Sequence, residues 1–132
     1  MLRAPMRAPG SGNLLVVLVE DDLDLADVTQ AALQHDGVDV AVAHDGREAI
    51  ELIDKLHPRV VVTDLIMPVV DGLEMMRRLR ERPAPRIPIV AVSAVGARLR
   101  AARDLGAAEV LLKPVDPADL FQSVMKAART AQ

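Results

Sequence analysis

The feature that most restricts the fold is a strict alternation, repeated five times, of a short apolar run with a longer segment of helical spacing. LLVVLV at 14–19, VDVAVA at 38–43, RVVVT at 59–63, IPIVAV at 87–92 and EVLL at 109–112 are short and bounded by turn residues, as strands are. Between and after them lie LDLADVTQAALQ, GREAIELIDKL, GLEMMRRLRE, ARLRAARDL and PADLFQSVMKAAR, whose apolar residues recur with the period of a helix face. Five such units predict an α/β domain with a doubly wound parallel sheet, right-handed crossovers and helices on both faces. Strands covered on both sides are almost wholly apolar, and 14–19 and 60–62 are.

Helix punctuation supports this division. Asp22 is expected to cap the first helix, and Asp45 with Glu48, Asp71 with Glu74 and Asp116 with Asp119 resemble capping boxes. Pro117 suits a first helical position, and Gly37 and Gly106 stand where helices end. Residues 1–13, rich in Pro, Gly and Arg and without apolar periodicity, read as a flexible leader, leaving 14–132 as the domain.

Composition excludes several functions. The 132 residues are 51% apolar, sufficient for one core and too few for a second domain. With no cysteine, thiol redox chemistry, disulfides and thiolate zinc sites are ruled out, and the chain is expected in a reducing cytoplasm. A net charge of -3 argues against nucleic acid as a partner, and one Phe with no Trp or Tyr leaves no base-stacking platform. The apolar runs are far shorter than a membrane span, so no membrane partner is expected. Neither G-x-x-x-x-G-K-[ST] nor G-x-G-x-x-G follows a strand, so the backbone cradle of nucleotide-binding proteins is missing.

In a sheet of this kind ligands bind beyond the carboxyl ends of the strands. Glu20, Asp21 and Asp22 follow the first strand, Asp64 the third, Ser93 the fourth, and Lys113 with Pro114 ends the fifth. Singly, these residues have structural explanations: a helix cap, a loop acid, a corner hydroxyl, a solvated charge. Together they place carboxylates from two strand ends beside one ammonium and one hydroxyl, an arrangement whose repulsion needs compensation. A divalent cation supplies it, and Mg2+ is commonly held by one or two carboxylates with waters and phosphate. Asp64 is then the candidate nucleophile toward phosphorus, with Lys113 as point charge and Ser93 as donor to a phosphoryl oxygen.

These residues resemble the receiver domain of two-component response regulators. The resemblance covers about 14–130 and rests on VLVEDD, VVVTDLIMPVVDG, IVAVSA and LLKP, in that order. It implies a flavodoxin-like fold with strand order 2-1-3-4-5. It also implies that Asp64 is the phosphoacceptor, that Glu20, Asp21, Asp64 and the backbone carbonyl of Ile66 hold Mg2+, that Ser93 is the switch hydroxyl and that Lys113 pairs with phosphate. Met67, Pro68 and Gly72 match the loop after the phosphoacceptor as shaping residues, and the bond before Pro114 is expected to be cis. The implied partners are a histidine kinase or histidine phosphotransfer protein and an unidentified downstream protein. The chain would be a phosphoacceptor with self-catalysed transfer and autodephosphorylation rather than a dedicated enzyme.

Three departures from the family pattern qualify the expectation. Val110 occupies a usually aromatic position, the segment from Ser93 to Lys113 is somewhat short and predicts a brief or irregular fourth helix, and Ile66 and Val95 are apolar beside the pocket. The last feature predicts slow loss of phosphate. If the 132 residues are the complete product, output is by protein contact, as in a stand-alone receiver. RRLRER at 77–82 and RLRAAR at 98–103 are expected as solvated helix faces, with protein contact as their other use. The competing readings are a Mg2+-dependent phosphohydrolase, which lacks a second acid two residues after Asp64 and any cap segment, and a phosphorylation-independent interaction module.

Overall fold

A computed structural model of the chain describes residues 13–83 and 86–130. Five strands, β1 (Leu15–Val19), β2 (Asp39–Ala43), β3 (Val60–Asp64), β4 (Ile89–Ser93) and β5 (Glu109–Leu112), alternate with five helices. The helices are α1 (Leu23–His35), α2 (Gly46–Leu56), α3 (Gly72–Arg80), α4 (Gly96–Asp104) and α5 (Pro117–Thr130). All strand pairs are parallel, in the order β2-β1-β3-β4-β5, so the doubly wound sheet expected from the alternation is present.

Each strand sends alternate side chains to opposite faces, and the apolar runs feed two cores. Val17, Val19 and Val61 pack with Ala49, Ile53, Met75, Met76 and Leu99 of α2, α3 and α4. Val16, Leu18, Val60 and Val62 pack with Leu33 of α1 and with Leu120 and Val124 of α5. Burying each such Val or Leu contributes roughly 1.5–3 kcal/mol. The near absence of aromatics is met by aliphatic and Met side chains throughout.

The helix starts obey the expected chemistry. Asp22, Asp45 and Asp71 accept hydrogen bonds from the backbone N–H groups of Leu25, Glu48 and Glu74, and Asp116 accepts from Ala118. Only Glu48 reaches back in the manner of a capping box, and it takes the N–H of His44 at 2.7 Å. Glu74 turns instead to Arg77 and Arg78. Gly37 and Gly106 have φ of 90° and 94°, the left-handed conformation that ends α1 and α4.

Two strand limits shift from the apolar runs. β4 begins at Ile89, two residues later than the apolar run: Pro88 has no N–H for the ladder, and its carbonyl accepts from Val61. β3 runs one residue further, carrying Asp64 on the strand itself. The helix α4 is brief, as expected, at nine residues, and regular; its N-cap, Val95, gives no side-chain hydrogen bond. Residues 1–12 of the expected leader lie outside the described residues, while Asn13 donates to Asp39 of β2 at 3.3 Å. Of the arginine strings, Arg77, Arg78 and Arg80 are exposed as expected, Arg80 also donating to the Leu105 carbonyl, while the half-buried Arg82 pairs with Asp54.

Candidate functional site

Because all five strands run the same way, their carboxyl ends share one rim, and β1 and β3 are adjacent on it. Glu20 follows β1, with its N–H held by the Ala43 carbonyl at 2.9 Å and its carbonyl facing His44 Nδ1 at 3.2 Å. Asp64 ends β3 and Ser93 ends β4. Lys113 follows β5, and its N–H donates to the Ser93 carbonyl at 3.0 Å, extending the β4–β5 ladder into the site.

The side chains converge. Lys113 Nζ lies 3.0 Å from Asp64 Oδ2 and 3.7 Å from Glu20 Oε1. Asp64 Oδ1 accepts the Ile66 N–H at 3.2 Å, and Glu20 Oε2 accepts the Asp22 N–H at 3.2 Å. Asp22 is therefore more than a cap: its carboxylate holds the first turn of α1 while its backbone orients Glu20. Glu20 and Asp64 are buried and Asp21 is exposed, yet one carboxylate oxygen of each lies within 4.8 Å of the other two.

The electrostatics follow from this crowding. Burial first, and then the charges of Asp64 and Asp21, push the Glu20 carboxyl up to about 7, against the hydrogen bond from Asp22 and the attraction of Lys113. Burial alone would lower the Lys113 ammonium, but its hydrogen bond to Asp64 and the charges of Asp64, Glu20 and Asp21 outweigh that and raise it.

The donor set suits a hard divalent cation: three carboxylates on one side of the rim, one facing open solvent where coordinated waters fit. Burial first, and then the repulsion of Asp64 and Asp21, penalise the charged Glu20, and such an ion offsets both. Glu20, Asp21 and Asp64 are the residues that would hold it. The Ile66 N–H, held on Asp64, fixes the turn from which the Ile66 carbonyl, the fourth expected ligand, would be offered.

Ser93 is almost fully buried and its Oγ accepts the Val95 N–H at 3.1 Å. It makes no hydrogen bond to Asp64 or to the Lys113 ammonium among the described residues. The Lys113–Pro114 bond is cis, as the resemblance implied. Behind Asp64, a Cβ at Gly72 would collide with the Asp64 carbonyl oxygen, so only glycine lets α3 start this close to β3. In the same loop Val69, a β-branched residue, has φ of 66° and is exposed.

Two contributors escaped the sequence reading. Thr63, fully buried, donates to the Asp64 carbonyl at 2.7 Å; as the polar residue in VVVTD before the acid, it was a visible signal. Arg98 of α4 pairs with Asp71, the cap of α3, at 3.6 Å, a contact between elements that no spacing rule exposes.

Comparison with known proteins agrees with this arrangement. The family described as the response regulator receiver domain matches residues 16–125. The transcriptional regulatory protein TrcR of Mycobacterium tuberculosis is 51% identical over 75 residues, which span 57% of this chain and 29% of TrcR. An uncharacterized 14.6 kDa protein of Leptolyngbya boryana is 34% identical over 84% of this chain and 87% of its own length. Among solved structures, the Francisella response regulator 1452 receiver domain has a TM-score of 0.83 at 27% identity, covering 91% of this chain and all (100%) of that one. The chemotaxis response regulator CheY4 of Vibrio cholerae has a TM-score of 0.80 at 26% identity, covering 87% and 98%.

Proposed function

Because the chain belongs to the response regulator receiver domain family, we propose that it accepts a phosphoryl group on Asp64 from the phosphohistidine of a histidine kinase or phosphotransfer protein. The observation that carries this reading is the Lys113 ammonium 3.0 Å from Asp64 Oδ2, beside the Glu20, Asp21 and Asp64 cluster.

An Asp64 carboxylate oxygen attacks phosphorus, the phosphorus–oxygen bond forms, the bond to the donor nitrogen breaks, and the imidazole leaves with the electron pair. Asp64 has acceptor capacity left beyond its bonds to Lys113 and Ile66. Mg2+, when held by Glu20, Asp21 and Asp64, neutralises the charge that accumulates on the phosphoryl oxygens. Lys113 transfers its contact from Asp64 Oδ2 to a phosphoryl oxygen, which keeps its charge paired throughout.

Switching is proposed to begin at Ser93. Its hydroxyl now serves the Val95 N–H, and turning it toward the phosphoryl group releases that N–H and the start of α4. Val110, half-buried against the core beside α4, stands where the relay ordinarily uses an aromatic, so the relay here is aliphatic. Ile66 and Val95, 48% and 43% exposed, hold the positions that flank the pocket in the family, and we infer that they shield the phosphoryl group from water. Loss of phosphate from purified phosphoprotein is therefore slow, and complete loss within seconds would refute this shielding.

Among the described residues no helix is long and apolar enough to cross a membrane. We place the protein in the cytoplasm, with a downstream protein rather than nucleic acid as the reader of its phosphorylated surface. The test is incubation with Mg2+ and acetyl phosphate, read by intact mass. One added phosphoryl group that Asp64→Asn abolishes is expected; no addition, or many turnovers of small phosphate esters without labelling, overturns the reading.

A further inference from the structure

The end of the sheet opposite the phosphoacceptor carries a second concavity, of about 620 Å³, where the last turns of α2 and α3 and the turn after α4 meet. Its floor is apolar, formed by Ile53, Leu79, Ile87 and Leu105. Its walls hold Arg80, Arg82 and Arg86 against one acid, Asp54, a local excess of positive charge in a chain whose net charge is -3.

Two of these arginines have structural work. Arg80 donates to the Leu105 carbonyl at the end of α4, and Arg82 pairs with Asp54, each through Nη1. A guanidinium has five N–H donors, so both retain donors for a ligand. Arg86 forms no ion pair or hydrogen bond among the described residues. Helix ends attract cations in general, but that accounts for charge at the C-terminus of α3 and not for an apolar floor beneath it. Apolar walls around a few convergent charged groups are the makeup of small-molecule sites.

We propose that this cavity binds a small amphiphilic anion, an apolar body bearing a carboxylate, phosphate or sulfonate, with the body on the Ile53–Ile87–Leu105 floor and the anion on Arg86 and Arg80. The site is independent of Asp64 and does not rest on the phosphoacceptor reading.

The experiment uses anilinonaphthalene sulfonate, whose fluorescence rises on apolar burial and meets no Trp background in this chain. Saturable binding is expected, displaced by decanoate but not by decanol or by inorganic phosphate, because both halves of the ligand are needed. Arg86→Ala should weaken it roughly tenfold, the loss of about one charge-assisted hydrogen bond. Arg86→Glu should abolish it with unchanged thermal unfolding, and Val28→Glu on α1 should leave it intact. Amide shifts in a titration with decanoate should cluster at Leu79, Leu105 and Gly106. Displacement by decanol as readily as by decanoate, equal binding by both Arg86 variants, or shifts confined to α1 and α5 would each overturn the proposal. Labelling of Asp64 by acetyl phosphate in the Arg86 variants should match that of the unaltered chain.

Discussion

Lys113 Nζ stands 3.0 Å from Oδ2 of Asp64, an ammonium from the end of the fifth strand paired with a carboxylate from the end of the third. The same ammonium is 3.7 Å from Glu20, so it is the cation that lets two buried acids share one rim. Removing one partner of a buried pair costs more than the pair contributes, because the other charge is left unpaired. Lys113→Ala should therefore destabilise the metal-free protein by about 1–3 kcal/mol at pH 8, below the range for a fully buried pair because Lys113 is partly exposed. Urea unfolding followed by circular dichroism reads this, and an unchanged midpoint would show that the pair is dispensable.

Glu20 makes metal-free stability depend on pH. Its carboxyl is raised from 4.5 to about 7 on folding, so between those values the folded chain holds a proton that the unfolded chain has released. Stability contributed by this group is complete below about pH 4.5 and declines as pH rises through 7. The shift corresponds to roughly 3 kcal/mol between the protonation states, as an upper figure. With chelator present, Glu20→Gln should be more stable than the unaltered chain at pH 8 and similar to it at pH 4.5. An equal difference at both values would mean that Glu20 is not the group responsible.

Asp21 separates binding from folding. It is exposed and its carboxylate makes no hydrogen bond or ion pair among the described residues, so Asp21→Asn should change metal-free stability by less than about 0.5 kcal/mol. Mg2+ at a hundredfold excess over its dissociation constant should stabilise the unaltered chain by about 2.7 kcal/mol, and this increment should largely vanish in Asp21→Asn. Retention of the full increment would place the ion elsewhere.

Val69 is the strained residue of the loop that follows Asp64. A side chain in the left-handed region costs about 1–2 kcal/mol, and Val69, 81% exposed, has little packing to offset it. Val69→Asn and Val69→Gly should raise the unfolding free energy by about 1 kcal/mol. Destabilisation by both would indicate that the exposed side chain is held by something other than its own backbone.

The fold was legible because the alternation of apolar runs and helical spacing leaves few arrangements, and the acids and lysine were legible because strand ends share a rim. Details that depend on a single missing or extra hydrogen bond were not. Pro88 looks like part of an apolar run until its absent N–H is counted, and β4 starts after it. Asp22 looks like a plain cap because a residue's backbone donor leaves no mark in its side-chain type. The Ile66 N–H bond to Asp64 was likewise invisible, because a backbone donor in the turn after β3 leaves no mark in residue type. His57, at φ of 49°, ends α2 in a conformation for which glycine or asparagine is the usual signal.

The main-chain bond from Lys113 N–H to the Ser93 carbonyl makes the gap between hydroxyl and lysine a rung of the ladder. The two groups proposed to grip different oxygens of one phosphoryl group are thus spaced by backbone geometry rather than by side-chain packing. Substitutions around the pocket leave the calliper between these residues at the same opening, so its surroundings can diversify without the site being rebuilt.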